Sequence, residues 1–213
     1  MLWPLLFLIL FIPFLLASIF LNLAIFSFAR LGLSPSGALM LLVASAIGSL
    51  INIPVSRRKI YLQEPQFPLF PFFFFYYPPQ VRQQVLCVNV GGAVIPVIFS
   101  LYLLATRAPF TQTVLATLVV AFISKLLARP VQGVGISLPA FIPPLVAAVT
   151  ALLLVPHNAA PVAYIAGALG TLIGADLLNL PAIRRLRAQV VSIGGAGVFD
   201  GIFLVALVAA FLS

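Results

Sequence analysis

The run Pro161-Val162-Ala163-Tyr164-Ile165-Ala166-Gly167-Ala168-Leu169-Gly170-Thr171-Leu172-Ile173-Gly174-Ala175-Asp176-Leu177-Leu178-Asn179-Leu180 decides the fold class. A helix needs about 20 apolar residues to cross a hydrocarbon core, and this run meets that length with a single charge, Asp176. Working outward, runs of the same character follow one another almost without pause. They predict an all-α, polytopic transmembrane bundle of about seven helices, over residues 2–28, 36–55, 85–106, 109–127, 136–155, 161–180 and 192–212. A count of six follows if one segment is re-entrant, and the fifth is the candidate.

The composition agrees. Of 213 residues, 63% are hydrophobic and 7% charged, with a mean hydropathy of +1.26, where a soluble domain carries about 25% charged residues. Residues 1–213 therefore read as one integral membrane domain with lipid as its surroundings. The formal charge of +8 forms no basic stripe and sits between the apolar runs, which speaks against nucleic acid as a partner. With loops numbered alternately, one side takes Arg57, Arg58, Lys59, Arg82, Lys125, Arg129, Arg184, Arg185 and Arg187, and the other takes Arg30 and Arg107. By the positive-inside rule this places the N-terminus in the cytoplasm and the C-terminus outside. Residues 1–28 lack a basic leading segment, so they read as a retained helix and not as a cleaved signal.

The cytoplasmic loop over 57–84 contains Glu64-Pro65-Gln66-Phe67-Pro68-Leu69-Phe70-Pro71-Phe72-Phe73-Phe74-Phe75-Tyr76-Tyr77-Pro78-Pro79. Too short and too rich in proline to span, it is expected in the lipid headgroup layer, where rings bury and polar tips stay wet.

Two spans are interrupted, at Asn89-Val90-Gly91-Gly92-Ala93-Val94-Ile95-Pro96 and at Gly133-Val134-Gly135-Ile136-Ser137-Leu138-Pro139-Ala140-Phe141-Ile142-Pro143-Pro144. Proline removes a donor, and the freed carbonyl needs a partner that hydrocarbon does not supply. Such breaks belong against protein or water.

Cys87 and His157 are the single cysteine and histidine, so neither an internal disulfide nor a Cys/His metal site is expected, and nothing calls for a cofactor. The acids are Glu64, Asp176 and Asp200. Two of the three fall inside predicted spans, where a carboxylate costs about 2.5–3.5 kcal/mol at the bilayer centre. Asp176 lies eight residues before Arg184 and Asp200 eight after Ser192. If Ser192 caps the seventh helix, both sit about 12 Å from the cytoplasmic end. Gly167, Gly170 and Gly174 line one face of the sixth helix, and Gly194, Gly197 and Gly201 line one face of the seventh, with Gly195 beside them. Small residues so spaced let membrane helices approach closely.

Two nearby carboxylates cannot both ionise in a low-dielectric site. One keeps its proton, and the pair can then act as general base and general acid on water. No metalloprotease H-E-x-x-H and no serine-hydrolase G-x-S-x-G is present.

The block Gly170 to Leu180, with Ser192-Ile193-Gly194-Gly195-Ala196-Gly197-Val198-Phe199-Asp200-Gly201-Ile202-Phe203-Leu204, resembles an uncharacterised prokaryotic membrane family, domain of unknown function 1614. The resemblance extends back through Ala128-Arg129-Pro130 and Asn89 to Pro96, and implies a prokaryotic inner-membrane location without implying an activity. In architecture the two aspartates resemble the presenilin, signal-peptide-peptidase and prepilin-peptidase group. Leu138-Pro139-Ala140 is similar to that group's Pro-Ala-Leu, although Gly197-Val198-Phe199-Asp200 is spaced more widely than its Gly-x-Gly-Asp.

Three functions follow as expectations. The first is an intramembrane aspartyl-protease-like hydrolase with Asp176 and Asp200 catalytic, supported by Asn89, Pro139, Gly174, Gly194, Gly195, Gly197 and Gly201. It would act on a transmembrane protein. The second is a small proton- or cation-coupled transporter or channel with the aspartates as relay. The third is a non-enzymatic membrane subunit or assembly factor.

Overall fold

The computed structural model describes residues 2–62, 80–131, 135–185 and 188–195, together with Val208 and Phe211. Within them the chain is mostly helical, but not all-α. Helices α1 (Leu2–Arg30) and α2 (Pro35–Ser49) lead into strand β1 (Asn52–Leu62) and strand β2 (Gln80–Asn89). A π-helical turn (Val90–Val94) then opens helix α3 (Ile95–Thr106). Helix α4 (Phe110–Leu127), the short strands β3 (Arg129–Val131) and β4 (Gly135–Ser137), and helix α5 (Ile142–Leu154) follow. Helix α6 (Ala159–Thr171) passes through a second π-turn (Leu172–Asp176) and a 3₁₀ turn (Leu177–Asn179) into the single-turn α7 (Leu180–Ile183). Strand β5 (Val190–Ile193) comes last.

Four of the expected spans are corrected by strands. The second ends at Ser49 instead of residue 55, because the chain turns into β1. The third is divided at Asn89: residues 85–89 belong to β2, which pairs antiparallel with β1 and parallel with β5. Ser192, expected to cap a seventh helix, instead lies in β5 opposite Cys87. The fifth span shortens to α5, and Gly135–Ser137 before it form β4, paired antiparallel with β3. Short apolar runs suit a buried strand as well as a helix, and pairing partners far along the chain decide between them. Pro54 fits β1 because this is the outer strand of the β1-β2-β5 sheet, and the register shifts between Pro54 and Ser56.

Among the described residues, three helical segments have the length and apolarity to cross a membrane: Phe11–Arg30, Phe110–Leu127 and Pro156–Ile183. Three shorter apolar ones are Pro35–Ser49, Val90–Thr106 and Ile142–Leu154. Seven full spans are therefore not what the described residues form. Pro156–Ile183 is the hub, 78% buried against 17% and 28% for the other two long segments. On one side Tyr164 meets Phe28 and Phe99, at ring-centroid distances of 6.4 and 5.1 Å. On another, Ala116, Val120, Ala147, Ala151, Ala163 and Ala166 close α4, α5 and α6 together. The outward faces carry exposed Phe110, Phe122, Phe141 and Leu153, as suits a lipid-facing surface.

The bundle has two chemically different ends. At one, Asn158 Nδ2 donates to the Arg107 carbonyl at 2.6 Å, and Arg30 Nη1 donates to the Phe211 carbonyl at 2.9 Å. The sheet stands at the other, with Lys125 in the last turn of α4 and Arg129, Arg184 and Arg185 following the helix ends there. The flanks of the 57–84 loop are strands as far as Leu62 and from Gln80. Its Phe-rich centre lies outside the described residues.

Candidate functional site

Asp176 closes the second π-turn, where the Leu177 amide reaches the Leu172 carbonyl in the wide i to i+5 pattern. Such single π-turns occur often at functional sites. The side chain is 9% exposed, and its Oδ2 accepts a hydrogen bond from the Gly194 amide at 2.7 Å. Gly194 and Gly195 turn the chain directly after β5 with φ of +83° and +90°, a region that favours glycine. A Cβ on Gly194 would lie 2.6 Å from Ala93 Cβ and 2.8 Å from Ala93 N. The carboxylate, the glycine turn and the first π-turn thus meet at one junction, in which both helices broken by a π-turn, α3 and α6, take part.

The first π-turn is fixed from below by Asn89, which is fully buried. Its Oδ1 accepts from the Gly92 amide at 2.7 Å, while its Nδ2 donates to the Ser49 carbonyl at 2.7 Å and to Asn52 Oδ1 at 3.2 Å. Ser192 Oγ donates to the same Asn52 oxygen at 2.6 Å, and Ser45 Oγ donates to the Gly91 carbonyl at 2.8 Å. Strands, α2 and the π-turn are knotted together through polar groups whose donors and acceptors match.

The second break is held by a different pair. Lys125 Nζ, in the last turn of α4, donates to the Leu178 carbonyl at 2.8 Å and to Asn179 Oδ1. Asn179 Nδ2 donates in turn to the carbonyls of Ala175 at 2.9 Å and Gly174 at 3.2 Å. Carbonyls left over where a helix changes pitch are satisfied by a cation and an amide, as at a helix C-terminus. Gly174 permits this closeness: its Cβ would lie 2.2 Å from the Ala121 carbonyl oxygen.

Of the residues singled out by sequence, the structure brings together Asp176, Gly174, Gly194, Gly195 and Asn89. Pro139 stands exposed in the connection between β4 and α5. Asp200, Gly197 and Gly201 lie outside the described residues, as does Glu64. The geometry used to pair the aspartates, a helix starting at Ser192, is replaced by β5 and the glycine turn. Sequence reasoning missed the roles of Lys125, Asn179, Asn52 and Ser45, and read Ser192 as a helix cap. Lys125 and Asn179 were visible as polar residues within apolar runs, whereas Ser45 and Asn52 gave no signal until the sheet was known.

Fold and junction together define a helical membrane protein whose interrupted helices meet a small sheet. Within that class, residues 46–212 match the family described as protein of unknown function (DUF1614), and the chain belongs to it. No curated protein and no solved structure matches the chain.

Proposed function

We propose that this protein is a small proton- or cation-coupled transporter or channel of the prokaryotic inner membrane, with Asp176 as its relay group. The observation that carries the reading is the place of that carboxylate, buried at the π-turn of the innermost helix and tied to a glycine turn that abuts a second interrupted helix. Ionisable groups inside membrane helices are costly and mark pathways. Interrupted helices are likewise where transporters of several folds place their ion sites. The N-terminus in the cytoplasm and the C-terminus outside complete the proposal, on the strength of the nine-to-two division of Lys and Arg between alternate loops.

The test is flux into liposomes holding the purified protein, driven by an imposed pH gradient or potential. The parent should exceed protein-free liposomes, and Asp176→Asn should fall to that background. Equal flux in the parent and Asp176→Asn would sink the relay. Cleavage of a transmembrane peptide by the parent, abolished in Asp176→Asn, would replace it with hydrolysis.

A further inference from the structure

Buried hydroxyls in this bundle mostly find a carbonyl. Ser27, Thr113 and Thr117 donate one turn back along their own helices at 2.6–2.9 Å, and Ser45 donates to Gly91. Four do not: Ser100 Oγ, Ser124 Oγ, Tyr164 OH and Thr171 Oγ1 have no hydrogen-bond partner among the described residues. Their residues are 0%, 0%, 0% and 3% exposed. Leaving a buried hydroxyl unsatisfied is unfavourable, so each such group in a native protein has a reason, a bridging water or a functional role among them. All four stand on α6 or on residues packed against it. Ser124 Cβ would be 2.8 Å from a Cβ on Gly174, and Ser100 adjoins Phe99, whose ring packs on Tyr164.

Their order along α6 gives them a direction. Tyr164 and Thr171 are seven residues apart, about two α-helical turns, and so share a face. Thr171 to Asp176 is five residues, which in a continuous α-helix would carry Asp176 about 140° away from that face. The π-turn hydrogen-bonds across five residues, so it returns Asp176 toward the side of Thr171. The break in α6 therefore aligns two unpartnered hydroxyls with the buried carboxylate, over a rise of about 18 Å.

We propose that Tyr164, Thr171 and Asp176 form a proton path along the inner side of α6, bridged by water that Ser100 and Ser124 help to hold. This rests on the relay reading above and names its cargo. A hydroxyl both donates and accepts. Each oxygen takes a proton on a lone pair as its own O–H bond breaks toward the next oxygen, and the last acceptor is the Asp176 carboxylate. No electrons change hands. Hydroxyls with one carboxylate suit a hopping proton better than a bare metal cation, which needs several fixed oxygens at once.

The experiment uses the full chain in liposomes with a trapped pH indicator and a potassium diffusion potential. Parent, Tyr164→Phe, Thr171→Val, Thr117→Val and Asp176→Asn are compared, each checked for an unchanged thermal midpoint in detergent. Tyr164→Phe and Thr171→Val should each slow acidification about a hundredfold or more, the lower end for loss of a positioned proton-transfer group. Thr117→Val, whose hydroxyl already has a partner, should match the parent. If Asp176→Asn abolishes flux while Tyr164→Phe and Thr171→Val run at parental rate, the path is wrong and the relay survives. If the parent passes no protons, both fail. If Thr117→Val slows flux as much as Thr171→Val, the effect is one of packing and the path is overturned.

Discussion

The Gly194 amide donates to Asp176 Oδ2 at 2.7 Å across 18 residues of chain, fastening the end of the sheet to the break in the central helix. Gly194 is suited to this twice over, by its φ of +83° and by the lack of room beside Ala93. Gly194→Ala combines a left-handed conformation, about 1–2 kcal/mol, with overpacking of about 1–3 kcal/mol. Thermal unfolding in detergent should show a clearly lowered midpoint. A parental midpoint would mean that the turn lies looser against Ala93 than the structure has it.

Gly91 provides a sharper contrast. A Cβ there would lie 2.0 Å from the Ser45 carbonyl oxygen and 2.4 Å from the Ser49 nitrogen, both backbone atoms of α2. Gly91→Ala must push α2 away, at a cost of about 3 kcal/mol or more. Gly135, with φ of +116° and open space around it, offers only backbone strain. Gly135→Ala should therefore lose about 1–2 kcal/mol. Reversal of that order in unfolding experiments would contradict the packing of α2 on the first π-turn.

Membrane character was legible because it depends on local composition: α1, α4 and the Pro156–Ile183 segment are where the apolar runs placed helices. The sheet was not legible because it depends on pairing. Val85 to Asn89 is apolar enough for a span, and only β1, some thirty residues earlier in register, and β5, about a hundred residues later, make it a strand. The burial of Asp176 was readable from its run, and its partner was not. Sequence spacing pointed toward Asp200 across a helical hairpin, whereas the described contact is a backbone amide. That amide becomes available because Gly194 follows a strand instead of continuing a helix.

Asn89 should prove the least replaceable polar residue at the sheet end. Asn89→Ala strands the Ser49 carbonyl and the Gly92 amide, each costing about 1–3 kcal/mol when buried and unpaired. Asn89→Asp keeps the acceptor for Gly92 but sets an anion against the Ser49 carbonyl and Asn52 Oδ1. It should unfold at least as readily as Asn89→Ala. If Asn89→Asp matches the parent, the amide donor bonds are not what holds this knot.

The two ends of the bundle should be accessible from opposite sides of the membrane. Arg107 and Lys59 are exposed, one at the Asn158 end and the other on β1. In a Cys87→Ala background, Arg107→Cys and Lys59→Cys should react with an impermeant maleimide in vesicles of opposite orientation. Under the proposed topology Lys59→Cys reacts in inverted vesicles. Labelling of both in one preparation of uniform orientation would exclude a membrane-crossing bundle between them.

The stability of Asp176 variants determines how their loss of function is to be read. Asparagine keeps a carbonyl oxygen where Oδ2 accepts from Gly194, so Asp176→Asn preserves the tie while removing the group that carries a proton. Leucine has no acceptor and leaves the Gly194 amide buried without a partner, a loss of about 1–3 kcal/mol. Thermal unfolding should then rank the parent and Asp176→Asn close together, with Asp176→Leu clearly lower. In that case the absence of flux in Asp176→Asn reports the chemistry of the carboxylate and not the collapse of the junction. If Asp176→Asn falls as far as Asp176→Leu, the tie depends on the negative charge, strengthened as hydrogen bonds to ionised acceptors are. Asp176 would then be a structural anion at a helix break, and the relay would have to be sought elsewhere along α6.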